Sequence, residues 1–259
     1  MQFLVAILAL VTIFFTSTPV AAQSWRTEFK NFGGCAFERV PNMQPKSMQL
    51  VADPVDPKNP NKVLAFSVVP KECIGDDCSS QSARSAVKQC QEGNHPREIW
   101  YGWEMFLPQD FPHDGQQIRG FQQLAEWKDQ DQCGIASTAI DSNLGGKFLN
   151  WVLSVPKGKD CLKTRDFPLG LVSTFLGKWT KFELFAIWSE GLDGKFKLYV
   201  NGAKMVDYSG QTCTNCSNRN QALFGNYLCC TPDTKKVLPS TVYYRSISSA
   251  KTREQLIWE

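Results

Sequence analysis

The chain has 259 residues, 42% of them hydrophobic and 20% charged, with 28 Lys and Arg against 25 Asp and Glu for a formal net charge of +3. So weak a positive charge, without an Arg-Lys stripe, argues little for nucleic acid as a partner. With only two histidines, His95 and His113, a histidine-rich metal centre is excluded.

From the first residue, MQFLVAILALVTIFF is continuously apolar and is followed by TSTPVAAQS, in which Val20 and Ala22 suit cleavage before Gln23. The apolar core is short for a membrane anchor and no second long apolar run follows, so residues 1–22 read as a secretory signal peptide, although no Lys or Arg precedes the core. No transmembrane segment is expected, and the product is expected outside the cytoplasm, extracellular or periplasmic. Residues 23–259 then form a single domain, long enough to bury a substantial core. All ten cysteines, at 35, 73, 78, 90, 133, 161, 213, 216, 229 and 230, lie in that part. In an exported chain they read mainly as disulfides, with the pairing left open. Cys213-Thr-Asn-Cys216 with Cys229-Cys230 has the donor set of a zinc site, but export favours oxidation over metal binding. Asn215-Cys216-Ser217 is a glycosylation sequon.

SWRTEFKNFGGCAFERV predicts a short strand and turns, and Pro54, Pro57 and Pro60 predict a loop ahead of the strand KVLAFSVV. Cys73 to Gln81 is a second polar loop, and ARSAVKQ alternates weakly after it. EIWYGWEMFLP is a long strand with Ile99, Tyr101, Trp103 and Met105 on one face and Trp100 and Phe106 on the other. In QIRGFQQLAEWKDQ the two-residue repeat places Gln122, Leu124, Glu126 and Lys128 on one face, a polar lining beside Trp127. GIASTAI and KFLNWVLSVP are further strands, the second with Leu149, Trp151 and Leu153 together and Asn150 opposite. The clearest pattern is KWTKFELFAIWSEGLDGKFKLYVNGAKMVDY, where Phe196, Leu198 and Val200 alternate with Lys195, Lys197 and Tyr199 before a tight turn at Asn201-Gly202. QALFGNY, TVYYRSI and a short, helix-compatible REQLIW complete the chain. About a dozen strands with almost no helical periodicity imply an all-β sandwich of two antiparallel sheets. Trp100, Trp103 and Trp151 read as core.

A Gly-rich phosphate loop, HExxH and GxSxG are all missing from the sequence. What remains is a β domain with Tyr and Trp among amides and cations, a surface suited to sugars, whose rings stack on aromatics and whose hydroxyls need paired donors.

The order REIWYGWEMFLPQDFP, QLAEWKD, the hairpin segment above and ALFGNY resembles the heparin-lyase-I-like and glucuronan-lyase-like polysaccharide lyases, over about Lys62 to Ile247. The resemblance implies a concanavalin-like β-jelly roll with a substrate groove on its concave sheet. Its grammar is shared with laminarin- and lectin-type jelly rolls, so it speaks more to fold than to activity. It implies a Gln-x-His at the positions of Glu126-Trp127-Lys128, an Arg near Arg84 and a Tyr near Tyr227. This chain departs from it, with Glu in place of Gln and Lys in place of His.

The implied activity is β-elimination on an acidic, uronate-containing polysaccharide. That chemistry needs a donor to neutralise the carboxylate, a base at C5 and an acid at the leaving oxygen. The candidates are Tyr227, with either His95 or Lys128, for proton transfer and Arg84 for the carboxylate. Glu126, Gln122, Trp127, Lys88 and Tyr244 are candidates for substrate binding. Each has a plainer reading: a loop histidine, a sheet tyrosine, solvated charges or core aromatics. A non-catalytic carbohydrate-binding module and a glycoside hydrolase using Glu126 are the alternatives. The reading needs no cofactor, allows a structural calcium and expects a monomer.

Overall fold

A computed structural model describes residues 37–41, 43–70, 72–89, 96–113, 121–128, 134–141, 145–157, 160–216, 221–229 and 238–258. The expected signal segment, His95, and Cys35, Cys90, Cys133 and Cys230 lie outside these residues. No described helix is long and apolar enough to cross a membrane.

Fourteen strands are described: β1 Phe37–Arg39, β2 Met48–Ala52, β3 Lys62–Val68, β4 Ala83–Gln89, β5 Glu98–Phe106, β6 Phe121–Lys128, β7 Gly134–Asp141, β8 Phe148–Lys157, β9 Asp160–Leu171, β10 Trp179–Ile187, β11 Lys195–Val200, β12 Ala203–Ser209, β13 Gln221–Cys229 and β14 Ser240–Ala250. They form two seven-stranded antiparallel sheets, a front sheet ordered β1-β4-β13-β6-β7-β8-β9 and a back sheet ordered β12-β11-β10-β5-β14-β3-β2. The expected all-β, two-sheet jelly roll is the fold observed.

Alternation does most of this work. Ile99, Tyr101, Trp103 and Met105 of β5 and Phe182, Leu184 and Ala186 of β10 point between the sheets and are buried. They meet Leu124 and Trp127 of β6, Leu149, Trp151 and Leu153 of β8, and Phe224 of β13 in one continuous core. At its centre Trp103 stacks on Phe182, with ring centroids 5.1 Å apart, and Trp127 packs against both Trp103 and Trp151. The β11–β12 hairpin turns at Asn201 and Gly202 with φ of 48° and 82°, the conformation that Asn-Gly favours.

Three expectations change. β9 was not expected, because Pro168 and its charged residues obscure the pattern; it pairs only with β8, and a sheet edge tolerates proline. The segment REQLIW forms only a short 3-10 turn at Arg253–Gln255. Trp100 is not core: it stands half-buried on the outer face of the back sheet, 5.1 Å from the Phe185 ring and 6.0 Å from Tyr199.

Candidate functional site

The outer face of the front sheet is shaped by an irregularity in the β6–β13 ladder. Ala125 pairs with Phe224 and Gln123 with Tyr227, so two residues of β13, Gly225 and Asn226, stand opposite the single Leu124. The β6–β7 ladder shifts at the same place. Such a bulge shifts the alternation by one residue. Gln122, Leu124 and Trp127 therefore point inward, while Gln123, Glu126 and Lys128 reach the outer face. Gly225 is required here, since a Cβ at this position would lie 2.3 Å from the Ser85 carbonyl oxygen and 2.5 Å from the Ala86 Cα.

Three expected substrate-binding residues are corrected by the structure. Gln122 is buried and donates to Asn226 Oδ1 at 2.6 Å and Ser240 Oγ at 2.7 Å, beneath the sheet. The fully buried Trp127 belongs to the central aromatic stack. Tyr244, from the back sheet, donates to the Leu124 carbonyl and lies 3.1 Å from the Gly225 carbonyl, thereby satisfying backbone acceptors at the bulge. Burial pushes its hydroxyl well above the ordinary tyrosine range, against the lowering effect of its contact with Gly225, so it stays a neutral donor. All three shape the floor from below.

Above that floor, Arg84, Tyr227 and Gln123 occupy one register row across β4, β13 and β6. The Arg84 guanidinium lies 4.4 Å from the Tyr227 ring centroid, and the Tyr227 hydroxyl donates to Ser82 Oγ at 3.3 Å. Arg84 Nη2 donates to Asp77 Oδ1 at 2.9 Å. A parallel row holds Lys88, Leu223, Glu126 and Ser137. Both oxygens of Glu126 are engaged: Oε1 accepts from Gln123 Nε2 at 3.2 Å, and Oε2 lies 3.3 Å from Lys128 Nζ. The repulsion that an unpaired Glu126 would exert on an acidic sugar is thus offset by its own neighbours. Lys88 shares the outward face but lies towards the sheet edge, ion-paired with Glu38 at 2.8 Å.

A cleft of about 320 Å³ opens over this surface, lined among others by Gln123, Glu126, Lys128, Asp141, Ser154 and Tyr227. Arg84 meets Gln123, Glu126 and Tyr227 in an adjoining hollow. The structure therefore brings together Arg84, Tyr227, Glu126 and Lys128, and adds Gln123 where Gln122 was expected. A hint of this lies in the sequence: Leu124 and Ala125 are consecutive apolar residues in mid-strand, where strict alternation allows one.

Cys73 is bonded to Cys78 and Cys213 to Cys216, so the Cys213 and Cys216 thiolates of the zinc alternative are consumed in a disulfide. Cys229 is also disulfide-bonded. Among the described residues, no group of three or more His, Cys, Asp or Glu could hold a metal ion, and the calcium allowed for on sequence grounds finds no such group there.

The two-sheet jelly roll thus carries a polar, aromatic-bearing cleft on one outer face. The family to which the chain belongs is the polysaccharide lyase family, whose model matches residues 25–248. No curated protein matches the chain. Among solved structures, an endo-β-1,4-glucuronan lyase from the fungus Trichoderma reesei is similar at 17% identity and TM-score 0.60, over 81% of this chain and 88% of that one. The alginate lyase vAL-1 from Chlorella virus is similar at 12% identity and TM-score 0.51, over 82% and 90%. The catalytic domain of a glycoside hydrolase family 131 protein from Coprinopsis cinerea is similar at 11% identity and TM-score 0.52, over 84% of each chain. At these identities the likeness establishes the shared fold alone.

Proposed function

We propose that the protein is a secreted lyase that cleaves a uronate-containing polysaccharide by β-elimination in the cleft of the front sheet. The observation that carries this reading is the row of Arg84, Tyr227 and Gln123: a cation, a phenol and an amide side by side on one open face. Arg84 and the Gln123 amide would neutralise the uronate carboxylate, which makes the C5 proton removable. A base takes that proton, its electron pair forms the C4–C5 double bond, the C4–O4 bond breaks, and the Tyr227 hydroxyl protonates O4. Two groups are available for the base, His95 and Lys128. Lys128, ion-paired with Glu126, would alternatively hold a second anionic sugar when that cleft-side pair opens to the ligand. Export is supported by the apolar N-terminal segment and by the Cys73–Cys78 and Cys213–Cys216 disulfides, which persist in oxidising compartments.

The test is incubation of the full mature chain with glucuronan, alginate, heparin and related polymers. Ultraviolet absorbance from an unsaturated uronate is the expected result. New reducing ends without that absorbance would indicate a hydrolase built on Glu126, and binding without new ends a carbohydrate-binding module. Comparing His95→Gln with Lys128→Met identifies the base, whose loss removes turnover while leaving the fold intact.

A further inference from the structure

Arg84 and Tyr227 are held by a segment that the elimination chemistry does not use, residues 73–82. The Cys73–Cys78 disulfide closes a loop around the short helix α1, Asp76–Ser79. Asp77 is the buried residue of that helix, 4% exposed. Its carbonyl accepts from the Ser82 N–H at 2.7 Å, and Gln81, at φ 55°, turns the chain from the helix into β4. Three consecutive supports for the Arg84–Tyr227 pair thus come from one disulfide-closed loop and its exit. Asp77 Oδ1 takes Arg84 Nη2, Ser82 Oγ takes the Tyr227 hydroxyl, and the Ser80 and Ser82 hydroxyls bond each other at 2.9 Å.

A buried carboxylate that meets an arginine at a cleft edge has a cost that a structural ion pair alone does not offset well. Here the pair is also left incomplete: Asp77 Oδ2 and Arg84 Nε are both buried without a hydrogen-bond partner among the described residues. A loop evolved only to stop the chain would be better served by an apolar residue at 77. A long arginine side chain, by contrast, has many rotamers, and one fixed anion beside it selects the rotamer that places the guanidinium over the Tyr227 ring.

We infer that Asp77, held in place by the Cys73–Cys78 loop, is a positioning residue that orients Arg84 against Tyr227 for the elimination step. The inference rests on the lyase reading for its catalytic meaning, while the orientation itself is measurable without turnover. Asp77 touches no substrate; it acts through Arg84.

The first measurement is NMR of the full mature chain, reading the ring-current shift that Tyr227 imposes on the Arg84 side-chain protons. Tyr227→Leu supplies the value without stacking. Asp77→Asn keeps the shape and removes the charge, and Cys73→Ala/Cys78→Ala releases the loop while keeping Asp77. In each variant that retains a cooperative unfolding transition, the Arg84 shift is expected to move most of the way to the Tyr227→Leu value. Either folded variant keeping the parent shift overturns the positioning role. The second measurement is kinetic. Asp77→Asn should lower kcat by about ten- to a hundredfold with KM changed by less than about threefold, the signature of lost orientation. In an Arg84→Ala background the same substitution should cost no more than about twofold, whereas a merely structural role would give multiplicative losses and would overturn the inference. If the parent protein turns over no uronate polymer, the lyase reading fails, and the NMR comparison still decides whether Asp77 positions Arg84.

Discussion

The two sheets turn outer faces of opposite character to solvent. On the back sheet, several outward side chains of the central strands are covered by the protein's own chain. Arg253 grips Glu183 through both carboxylate oxygens, at 3.1 and 2.8 Å, and lies over the Tyr199 ring. Trp258 covers Lys181 and sits so close to Gly102 that a Cβ there would approach it to 2.7 Å. Asp53, from the loop after β2, accepts from the Trp179 indole and pairs with Arg245, which also takes both oxygens of Glu104. The front sheet has the same ingredients, arginine beside aromatic and carboxylate beside lysine. Its inner strands, however, carry no covering segment among the described residues, and Tyr227, Glu126 and Lys128 face an open cleft. Similar pairings lie beneath a covering segment on one face and border an open cleft on the other. That contrast, more than the residue types, marks where a ligand would act.

The contrast is most sharply broken at Tyr227. Tyr227→Phe keeps the ring that Arg84 lies on and removes only the hydroxyl, so kcat on the cleaved polymer should fall by about 10²- to 10⁴-fold with the unfolding temperature nearly unchanged. An equal loss in activity and stability would make Tyr227 a sheet residue like those of the back face.

On the back face the expected effect is on stability alone. Glu183→Gln leaves Arg253 and Lys181 without their charge partner and should lower unfolding free energy by on the order of 2 kcal/mol with turnover unaffected, measured by denaturant titration. Acid should act there too. Burial pushes the Glu183 carboxyl up, but Arg253 and Lys181 outweigh it and hold it below the usual carboxylate range. Asp53 is likewise held low, burial being outweighed by the Val55 and Asp56 N–H groups, Trp179 and Arg245. A carboxyl depressed in the folded state contributes stability that is full above its unfolded pKa and is lost as pH falls through the lower folded value. The unfolding temperature should therefore drop with acid below the ordinary carboxylate range, and Glu183→Gln should flatten that slope.

The smallest effect is expected at Glu126. Glu126→Gln frees Lys128 from its ion pair and leaves an amide where the resembling lyases carry one, so uronate polymers should bind about two- to fivefold more tightly by calorimetry. Unchanged binding would mean that this half of the front face, like the back face, is already satisfied.

Much of this was readable residue by residue. Alternation along β5, β8 and β11 assigned Trp103, Trp151 and Leu198 to apolar faces, and Asn201-Gly202 announced its hairpin, because a strand's period and a turn's φ requirements are local properties. Arg84, Tyr227, Glu126 and Lys128 were identified by the resemblance and do share one face. Gln122 was misplaced because a bulge set by how β13 and β7 meet β6 inverted the phase of half a strand, and register between strands distant in sequence leaves no periodic trace. Gln123 gained its place beside Tyr227 by the same shift. Trp127 and Tyr244 were misplaced because which face of a strand is turned to the core is decided by the packing of the two sheets. The sequence by itself determined the class of fold, the hydrophobic strand faces and the stock of polar groups, since these follow from short-range sterics and burial. Only the tertiary structure decided which polar groups stay open and which are closed off. That depends on long-range contacts such as Trp258 over Gly102 and Asp77 beside Arg84, where chain segments far apart or on different elements come to share one buried charge or one aromatic face.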